Sequence, residues 1–538
     1  MRITVSGTEG NATPKVVSAL NSIKAAGGGE LHFEKGEYHF FKEGTHKEFF
    51  GVSNNSACDK YIAFPIIGME NVTVDGHGSL FIFHEVTFPF MISESKCVTV
   101  KNAVFDTGMS PLVNFKLRDI TEDGFYMDID RNASPFYVEN GALNLIRESG
   151  TWLGKNHLLS LHAIGRHHVH YLATGSKDAD PSILPAPLMK CEVSETETGI
   201  YAKYKPDCPK KCTFGQETVS AIIDGGRSID VICLDRSEEI RIENITVARG
   251  IGMGVIGQSS KNIVIDGFST DNSYHGRGTQ TLTADALHFV NCDGGLEIKN
   301  CKITDTMDDA INVHGIYTEL KEILENGMTV KLMHREQHFF NPYRKGDRLT
   351  VIDPQSLEIV AEFKVSHACF KEGSGTEILI TGAFVYGKER AECGALIEDP
   401  DRMPDLYVHH NDFESFPHNR ISGGGEIVVE HNRFARCHAA LLTLDLARFW
   451  YESGRVKHLV YRNNEMNDCD ITGRGAFIKV GIDGIPDAIA PRIHERIEIK
   501  DNRFSGIRNK AIIAGGVREI ITEGNVFDRD EAELTDIK

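Results

Sequence analysis

The 538-residue chain lacks any apolar run of the roughly 18 to 20 residues needed to cross a bilayer as a helix. Its first residues, Met-Arg-Ile-Thr-Val-Ser-Gly, also lack the apolar centre of a secretory signal peptide. We therefore expect no membrane partner, and a cytoplasmic protein as the sequence stands. A secreted or periplasmic location is the alternative if a leader has been removed.

Cysteine and positive charge are also scarce. The chain has 12 cysteines, which are too sparse for a disulfide scaffold. Its 58 Lys and Arg residues are outnumbered by 77 Asp and Glu residues, so the net charge is −19. Because the basic residues are scattered rather than striped, we expect no nucleic-acid partner. An acidic surface also repels polyanions and favours neutral ligands.

What the chain does contain is a repeated phrase of alternating β-forming residues, then Asn, Asp or Gly, then an apolar residue. Copies lie at residues 240–244, 263–268, 427–434, 497–504 and 520–527. Period-two alternation predicts strands, and a repeat of about 20 to 25 residues without helical stretches predicts a parallel β-helix. The fold class is therefore predicted to be all-β. The recurring Asn is expected to bridge successive coils with its amide.

Two regions lose this phrase and divide the chain into five predicted parts. The lost regions look like small β-rich, barrel-like insertions, and the second is expected to wall a groove. A helix over residues 13–24 is predicted to cap the open end of the solenoid. The parts are 1–112 (cap and first coils), 113–225 (first insertion), 226–321 (central coils), 322–400 (second insertion) and 401–538 (last coils).

Two segments of the central coils share one pattern of Asp, Ala, apolar, polar and apolar residues. Asp285 and Asp309 hold the same place in it, 24 residues apart, which fits one coil. Stacked strands lie about 4.8 Å apart, with Asp308 on the diagonal. Crowded carboxylates raise one another's pKa. One can then protonate a glycosidic oxygen while another activates water. Turn capping and a Ca²⁺ site are the alternative interpretations.

Several neighbours are candidate ligands for sugar hydroxyls. His288 and Asn312 are equivalent on successive coils and alternate with apolar residues expected to face the core, so they should point outward. His314 shares the face of Asn312. An outward polar ladder without function is the alternative. Trp450, followed by Glu452, lies in a loop-like stretch and is expected either to stack on a sugar or to pack in the core.

Two other groups could bind a metal. His168 and His170 alternate on one strand, and Cys208 and Cys212 follow Cys191 upstream. Neither group has an evident complete ligand set, so we expect no metal and no cofactor.

At the carboxylate segments the sequence resembles glycoside hydrolase family 110, the α-1,3-galactosidases that act on blood-group-B-type and linear galactosyl ends. The motifs that carry the resemblance are residues 284–289 and 307–315, supported by 76–84 and 450–454. The resemblance extends over most of the chain.

This resemblance implies a right-handed parallel β-helix with two inserted β-barrels, often dimeric, and exo-acting release of terminal α-1,3-linked galactose by inversion without a cofactor. Asp285 would be the general acid, and Asp308 and Asp309 would supply the base. The implied partner is an α-galactosyl oligosaccharide or glycan. Inverting carboxyls lie about 6.5 to 9.5 Å apart, so stacked Asp285 and Asp309 would have to splay.

Three other functions remain open from the residues alone. Polygalacturonases also combine one Asp with a later Asp-Asp pair on a β-helix, but their Arg-Ile-Lys motif is missing here. A Ca²⁺-dependent polysaccharide lyase would need a basic proton abstractor. A non-catalytic carbohydrate-binding solenoid would bind a sugar without turnover.

Overall fold

The computed structural model describes most of the chain. The described residues are 1–7, 9–84, 86–108, 112–129, 131–132, 135–145, 159–161, 191–207, 218–223, 229–271, 281–306, 308–445, 450–470, 475–486 and 489–538. His168, His170, Cys208 and Cys212, the candidate metal ligands other than Cys191, lie outside them.

The chain begins with a helix and the first coils of a β-helix. These elements are β1 (Arg2–Val5), α1 (Thr13–Ala25), β2 (Gly29–Phe33), β3 (Glu37–Phe40), β4 (His46–Phe50), β5 (Cys58–Ile67), β6 (Glu70–Phe83), β7 (Thr87–Ser93) and β8 (Lys96–Thr107). Helix α1 confirms the predicted amphipathic helix. Val16, Leu20 and Ile23 are buried against the end of the solenoid, in the same core as Leu31 and Phe33.

The first inserted region forms antiparallel sheets. Its described strands are β9 (Leu112–Arg118), β10 (Gly124–Ile129), β11 (Phe136–Glu139), β12 (Ala142–Leu145), β13 (Leu159–Leu161), β14 (Cys191–Thr196), β15 (Gly199–Tyr204) and β16 (Thr218–Ile223). Six of them form one sheet in the order β13-β16-β9-β10-β15-β14, and β11 pairs with β12. This region is β-rich, as predicted.

The central coils follow. Their strands are β17 (Ile232–Asp235), β18 (Glu238–Val247), β19 (Val255–Gln258), β20 (Lys261–Asp266), β21 (Ser269–Thr270), β22 (Leu287–Val290), β23 (Asp293–Lys299), β24 (Lys302–Thr304) and β25 (Ile311–Ile316). Each pairs in parallel with its counterpart one coil away, as β19 does with β22 and β22 with β25.

The second inserted region is a closed barrel of the order β26-β27-β30-β29-β28-β31. Its strands are β26 (Thr318–Leu324), β27 (Gly327–Leu332), β28 (Arg348–Ile352), β29 (Ile359–Phe370), β30 (Glu377–Tyr386) and β31 (Leu396–Glu398), with short 3₁₀ turns at Arg335–Gln337 and Lys388–Arg390. Strand β26 begins at Thr318, slightly before the predicted start of the insertion. The barrel therefore leads directly out of β25.

The last coils complete the β-helix. Their elements are β32 (Asp405–His409), β33 (Asp412–Ile421), β34 (Glu426–Glu430), β35 (Arg433–Asp445), β36 (Glu452–Ser453), β37 (His458–Arg462), β38 (Glu465–Asn467), β39 (Ala476–Ile482), β40 (His494–Lys500), β41 (Arg503–Ser505), β42 (Lys510–Ala514), β43 (Val517–Glu523), β44 (Val526–Phe527), α2 (Glu531–Leu534) and β45 (Thr535–Ile537). In the described residues no helix is long and apolar enough to span a membrane.

The predicted repeat is confirmed as a stack of coils. Phe413 lies in register with Phe434, with ring centroids 5.2 Å apart, and Phe504 stacks on Phe527 at 4.8 Å. The predicted Asn bridges are also confirmed. The amide Nδ2 of one Asn donates to Oδ1 of the next at 2.9 to 3.1 Å, through Asn411, Asn432, Asn464, Asn502 and Asn525.

Candidate active site

One outer face of the β-helix carries a column of register-matched side chains, and this column changes from apolar to polar. Its apolar members, up to Ile256, pack under Phe50 and Val52, which lead into the loop between β4 and β5. From His288 to Arg420 its members are polar, and the candidate site lies at this part of the column. The column is Met91, Cys233, Ile256, His288, Asn312, Arg420 and Leu442.

A cavity of about 280 Å³ opens at this point. It brings together six of the eight residues singled out from the sequence, namely Asp285, Asp308, Asp309, Asn312, Trp450 and Glu452. The lining also includes five residues that the sequence did not point to, which are Asn54, Met253, His418, Arg420 and Leu442.

The three aspartates meet because two successive coils carry the same local pattern. Leu287 pairs with Ile311 and His288 with Asn312. The ladder continues toward the carboxylates, where the Ala286 N–H donates to the Asp309 carbonyl at 2.8 Å. The predicted stacking of the Asp285 and Asp309 positions is therefore observed.

The two stacked carboxylates are tethered to different coils. Asp285 Oδ2 lies 2.7 Å from Nδ1 of His288, on its own coil. Asp309 Oδ1 lies 3.1 Å from Nδ1 of His418, on the following coil, and its Oδ2 is 3.7 Å from Nε of Arg420. The two carboxyl groups are thus held by hydrogen bonds from different coils.

The surroundings of Asp309 favour a proton on its carboxyl group. Burial raises the pKa of Asp309 well above its usual range, and the charge of Asp285 raises it further. Glu452 acts in the same direction, while Arg420 and His288 only partly oppose it. The adjacent His418 offers little positive charge because burial and Arg420 lower its pKa to about 3. A carboxyl that favours a proton, beside the ionised Glu452, suits acid–base catalysis.

Glu452 is held as a carboxylate in the same cavity. Asn54 donates to its Oε1 at 3.0 Å, and Arg420 donates to its Oε2 at 3.0 Å. Burial alone would raise the pKa of Glu452, but the electrostatic effects of His314 and Arg420 dominate and hold it at about 2. The Arg420–Glu452 pair is thus a fixed charge pair at the wall of the cavity.

The expectation that His288 and His314 point outward to meet a ligand requires a correction. Their neighbours Leu287 and Val313 do lie in the core of the β-helix, so the alternation is as predicted. The two histidines are nevertheless buried and do not line the cavity, with His288 fully inaccessible. Strand β36 pairs with Gly315 and Ile316, and Glu452 on that strand lies 3.6 Å from His314. Cover from another part of the chain has placed them behind the carboxylates.

The barrel of the second inserted region packs against Trp450, which lines the cavity. The ring of His334 packs on the Trp450 indole with centroids 4.6 Å apart, and Gln337 donates to the Trp450 carbonyl at 3.2 Å. Trp450 is half-buried and lines the cavity, so it is not a core residue. The same barrel segment accepts a hydrogen bond at Glu336 from the backbone of Asn55. The second insertion thus supports a residue that lines the cavity, although none of residues 318–398 lines it directly.

The missed residues come from segments far apart in sequence. Arg420 follows the Asp308–Asp309 pair by more than a hundred residues, because the barrel separates their coils. Asn54 precedes the same pair by more than two hundred residues. Near Arg420 the strand phrase breaks in the segment Arg420-Ile-Ser-Gly-Gly-Gly, which is a sequence signal for an irregular site but not for the role of Arg420. No local pattern marks His418 or Asn54.

Among the described residues, one group has ligand atoms close enough together for a metal. It consists of Glu30, His32 and Asp75, whose ligand atoms lie within 4.8 Å of one another. The ammonium of Lys101 already lies 3.7 Å from Asp75. None of these residues lines the cavity.

Several known proteins with similar sequences are named α-1,3-galactosidase. The chain is 25% identical over 532 residues to an α-1,3-galactosidase B of Bacteroides thetaiotaomicron, covering 97% of this chain and 84% of that protein. It is 26% identical over 505 residues to an α-1,3-galactosidase A of Shewanella woodyi, covering 92% of this chain and 79% of that protein. It is 26% identical over 566 residues to an α-1,3-galactosidase B of Phocaeicola vulgatus, covering 97% and 88%. No profile of a protein family matches the chain.

Two solved structures illustrate the more distant likenesses. A polygalacturonase of Erwinia carotovora aligns with 99% of this chain and 96% of its own, at 10% identity and a TM-score of 0.39. A tailspike protein mutant of the E. coli bacteriophage HK620 aligns with 98% of this chain and 64% of its own, at 8% identity and a TM-score of 0.40. These scores support no conclusion about this chain. The sequence relatives, in contrast, confirm over most of the chain its resemblance to the α-1,3-galactosidases of glycoside hydrolase family 110.

Proposed function

We propose that the protein is an exo-acting glycoside hydrolase that releases terminal α-1,3-linked galactose from oligosaccharides or glycoconjugates. The observation that carries the proposal is the meeting of Asp285, Asp308 and Asp309 in one cavity with a fixed Arg420–Glu452 charge pair. Relatives named α-1,3-galactosidase over nearly the whole chain supply the sugar and the linkage.

The shape of the cavity supports action on a chain end. At about 280 Å³ it is at the small end of the range for ligand pockets, which suits one sugar better than a stretch of polymer. The half-buried Trp450 offers an indole on which the apolar face of a sugar can stack. The anionic cavity also favours a neutral sugar over a uronic acid.

Inversion is the stereochemical course that we propose. It requires one carboxyl to protonate the leaving oxygen and another to activate water from the opposite side of the ring. The tethers of Asp285 to its own coil and of Asp309 to the following coil support the necessary separation. Retention would require a closer pair, with one carboxylate attacking the sugar.

The surroundings of the carboxyls favour a division of roles that differs from the one implied by the family resemblance. The resemblance makes Asp285 the acid, with the base from Asp308 and Asp309. Burial and nearby charge favour a proton at Asp309, whereas Asp285 is bonded to His288. We therefore propose that the Asp308–Asp309 pair supplies the acid and that Asp285 acts as a base.

Two kinetic measurements test the function and the roles. NMR of an α-1,3-galactosyl disaccharide should show β-galactose as the first anomer, and Asp→Asn variants at 285, 308 and 309 should each lose about 10²- to 10⁴-fold in kcat. Asp305→Asn is the matched control, because Asp305 is a buried carboxyl on the same coil that does not line the cavity. An aryl galactoside with an acidic leaving group should rescue the variant that lacks the acid but not the one that lacks the base.

Other outcomes would identify the competing functions. No galactose from any α-galactoside, or full activity in all three variants, would end the proposal. Loss of activity with a chelator together with an unsaturated product would indicate a lyase. Sugar binding that persists without turnover would indicate a binding solenoid.

A further inference from the structure

A row of hydrogen bonds runs behind the cavity from Asp285 into the protein. Asp285 Oδ2 is 2.7 Å from Nδ1 of His288, and Nε2 of His288 is 3.0 Å from Nε2 of His314. Nδ1 of His314 is 2.6 Å from the Gly315 carbonyl oxygen. Both imidazoles are buried, so this row ends inside the protein.

The three hydrogen bonds of this row determine how many protons Asp285, His288 and His314 hold together. A carbonyl oxygen can only accept, so Nδ1 of His314 carries a hydrogen. The His288–His314 contact and the Asp285–His288 contact each need one more. Three bonds therefore hold three protons, one more than a carboxylate and two neutral imidazoles possess. The extra proton belongs to Asp285, His288 or His314.

The environment of His314 excludes this residue as the site of the extra proton. Burial lowers the pKa of His314 to about 4, so it is neutral at ordinary pH and its Nε2 accepts from His288. Burial also acts against a charge on His288, but the hydrogen bond and charge of Asp285 outweigh it. Together with the charges of Glu452 and Asp309, the hydrogen bond and charge of Asp285 raise the pKa of His288 above its ordinary value. The charged groups facing the pair are thus Asp285, Asp309 and Glu452, with Arg420 beyond.

We propose that His288 is a positioning residue: His314 fixes the orientation of its ring, and the protonated His288 ring keeps Asp285 ionised and oriented. The inference rests on the proposed hydrolysis for its consequence but not for its geometry. Because Oδ2 of Asp285 is bonded to His288, Oδ1 is the oxygen left for the reaction. An ionised, oriented carboxylate suits a base that takes a proton from water.

The protonation state can be measured without any activity. In the full chain with ¹⁵N-labelled histidine, both ring nitrogens of His288 should be protonated at pH about 7, above the ordinary imidazole pKa of about 6.5. The signal is assigned by its loss in His288→Asn. Asp285→Asn should return His288 to a neutral ring. A neutral His288 in the wild-type chain at this pH would overturn the proposal.

Kinetics then test the consequence. His288→Asn keeps a donor toward Asp285 but no positive charge, so kcat should fall on the order of 10²-fold with KM little changed. The low-pH limb of kcat should move to higher pH, because Asp285 loses the cation that keeps it ionised. In the Asp285→Asn background, His288→Phe should cost nothing further, since the two residues act as one unit.

His494→Asn is the matched control. His494 is also fully buried, but among the described residues its ring bonds only to the backbone of Val456 and Gly481. This variant should lose stability and keep the pH limb. An unshifted limb in His288→Asn, or additive losses in the double variant, would contradict the positioning role. A doubly protonated His288 in a chain that releases no galactose would instead contradict the proposed function alone.

Discussion

Asp309 and Glu452 are two buried carboxyls in one cavity whose pKa values move in opposite directions. Asp309 is raised by burial and by Asp285, whereas Glu452 is held low because His314, Arg420 and Asn54 surround it. A side chain's neighbours, rather than its burial alone, decide which carboxyl keeps a proton.

Replacing Asp309 by Asn should stabilise the fold increasingly as pH rises. A raised pKa means that the folded state binds the proton more tightly than the unfolded chain does. The stability present below the ordinary pKa of about 3.9 is thus lost as pH rises through the folded value. Denaturant unfolding of Asp309→Asn and wild type across a pH series measures this. A stability difference that is constant with pH would contradict it.

Replacing Glu452 by Gln should shift the high-pH limb of the pH profile of kcat. Gln keeps an acceptor for Asn54 but removes a charge that raises the pKa of Asp309. The high-pH limb of kcat should therefore move to lower pH. Removing one member of a buried ion pair should also cost about 3 kcal/mol, at the low end of the usual range because Asp309 still faces Arg420. A limb that moves upward would contradict this assignment.

Among the structural elements, two connecting segments hold residues of the cavity wall in place. The loop between β4 and β5 brings Asn54 to Glu452, and the turn after β27 brings His334 to Trp450. The β-helix supplies the three aspartates, loops supply Asn54 and Trp450, and the barrel packs against Trp450.

Trp450→Ala should weaken substrate binding more than turnover. Loss of one stacking face is worth about 1.4 kcal/mol, so KM should rise about tenfold while kcat changes little. Trp450→Phe, which keeps an aromatic face, should recover most of the loss. A fall in kcat at constant KM would show that Trp450 acts on the reaction itself.

The Asn ladder should be most sensitive in its middle. Asn464 is buried and links Asn432 to Asn502, so Asn464→Ala leaves buried amides unsatisfied and should cost about 1 to 3 kcal/mol. Asn525→Ala, at the half-buried end of the ladder, should cost less. Chemical denaturation of both variants measures the difference, and equal losses would contradict a cooperative ladder.

At the scale of the whole molecule, the net charge of −19 distinguishes neutral from anionic substrates. For a neutral galactoside, kcat/KM should change less than about twofold as salt screens the surface, because no long-range attraction or repulsion acts on the substrate. A uronic-acid oligosaccharide should instead react faster as salt rises, if it reacts at all. A strong salt dependence on the neutral substrate would contradict this expectation.

The repeat and the matched aspartates were decided by the sequence itself. Period-two alternation and a repeat close to one coil fix the strand pairing, and pairing in register places Asp285 against Asp309. Helix α1 and the Asn ladder follow for the same reason, since each depends on local pattern and on neighbouring coils.

Tertiary structure alone decided which polar residues reach the cavity. His288 and His314 point away from the core as the alternation requires, yet both are buried, and Glu452 of β36 lies 3.6 Å from His314. Arg420, His418 and Asn54 reach the carboxylates from coils and loops separated by the barrel or by most of the N-terminal half. A local pattern records which face a side chain takes, but only the complete chain determines what covers that face and which charges surround it.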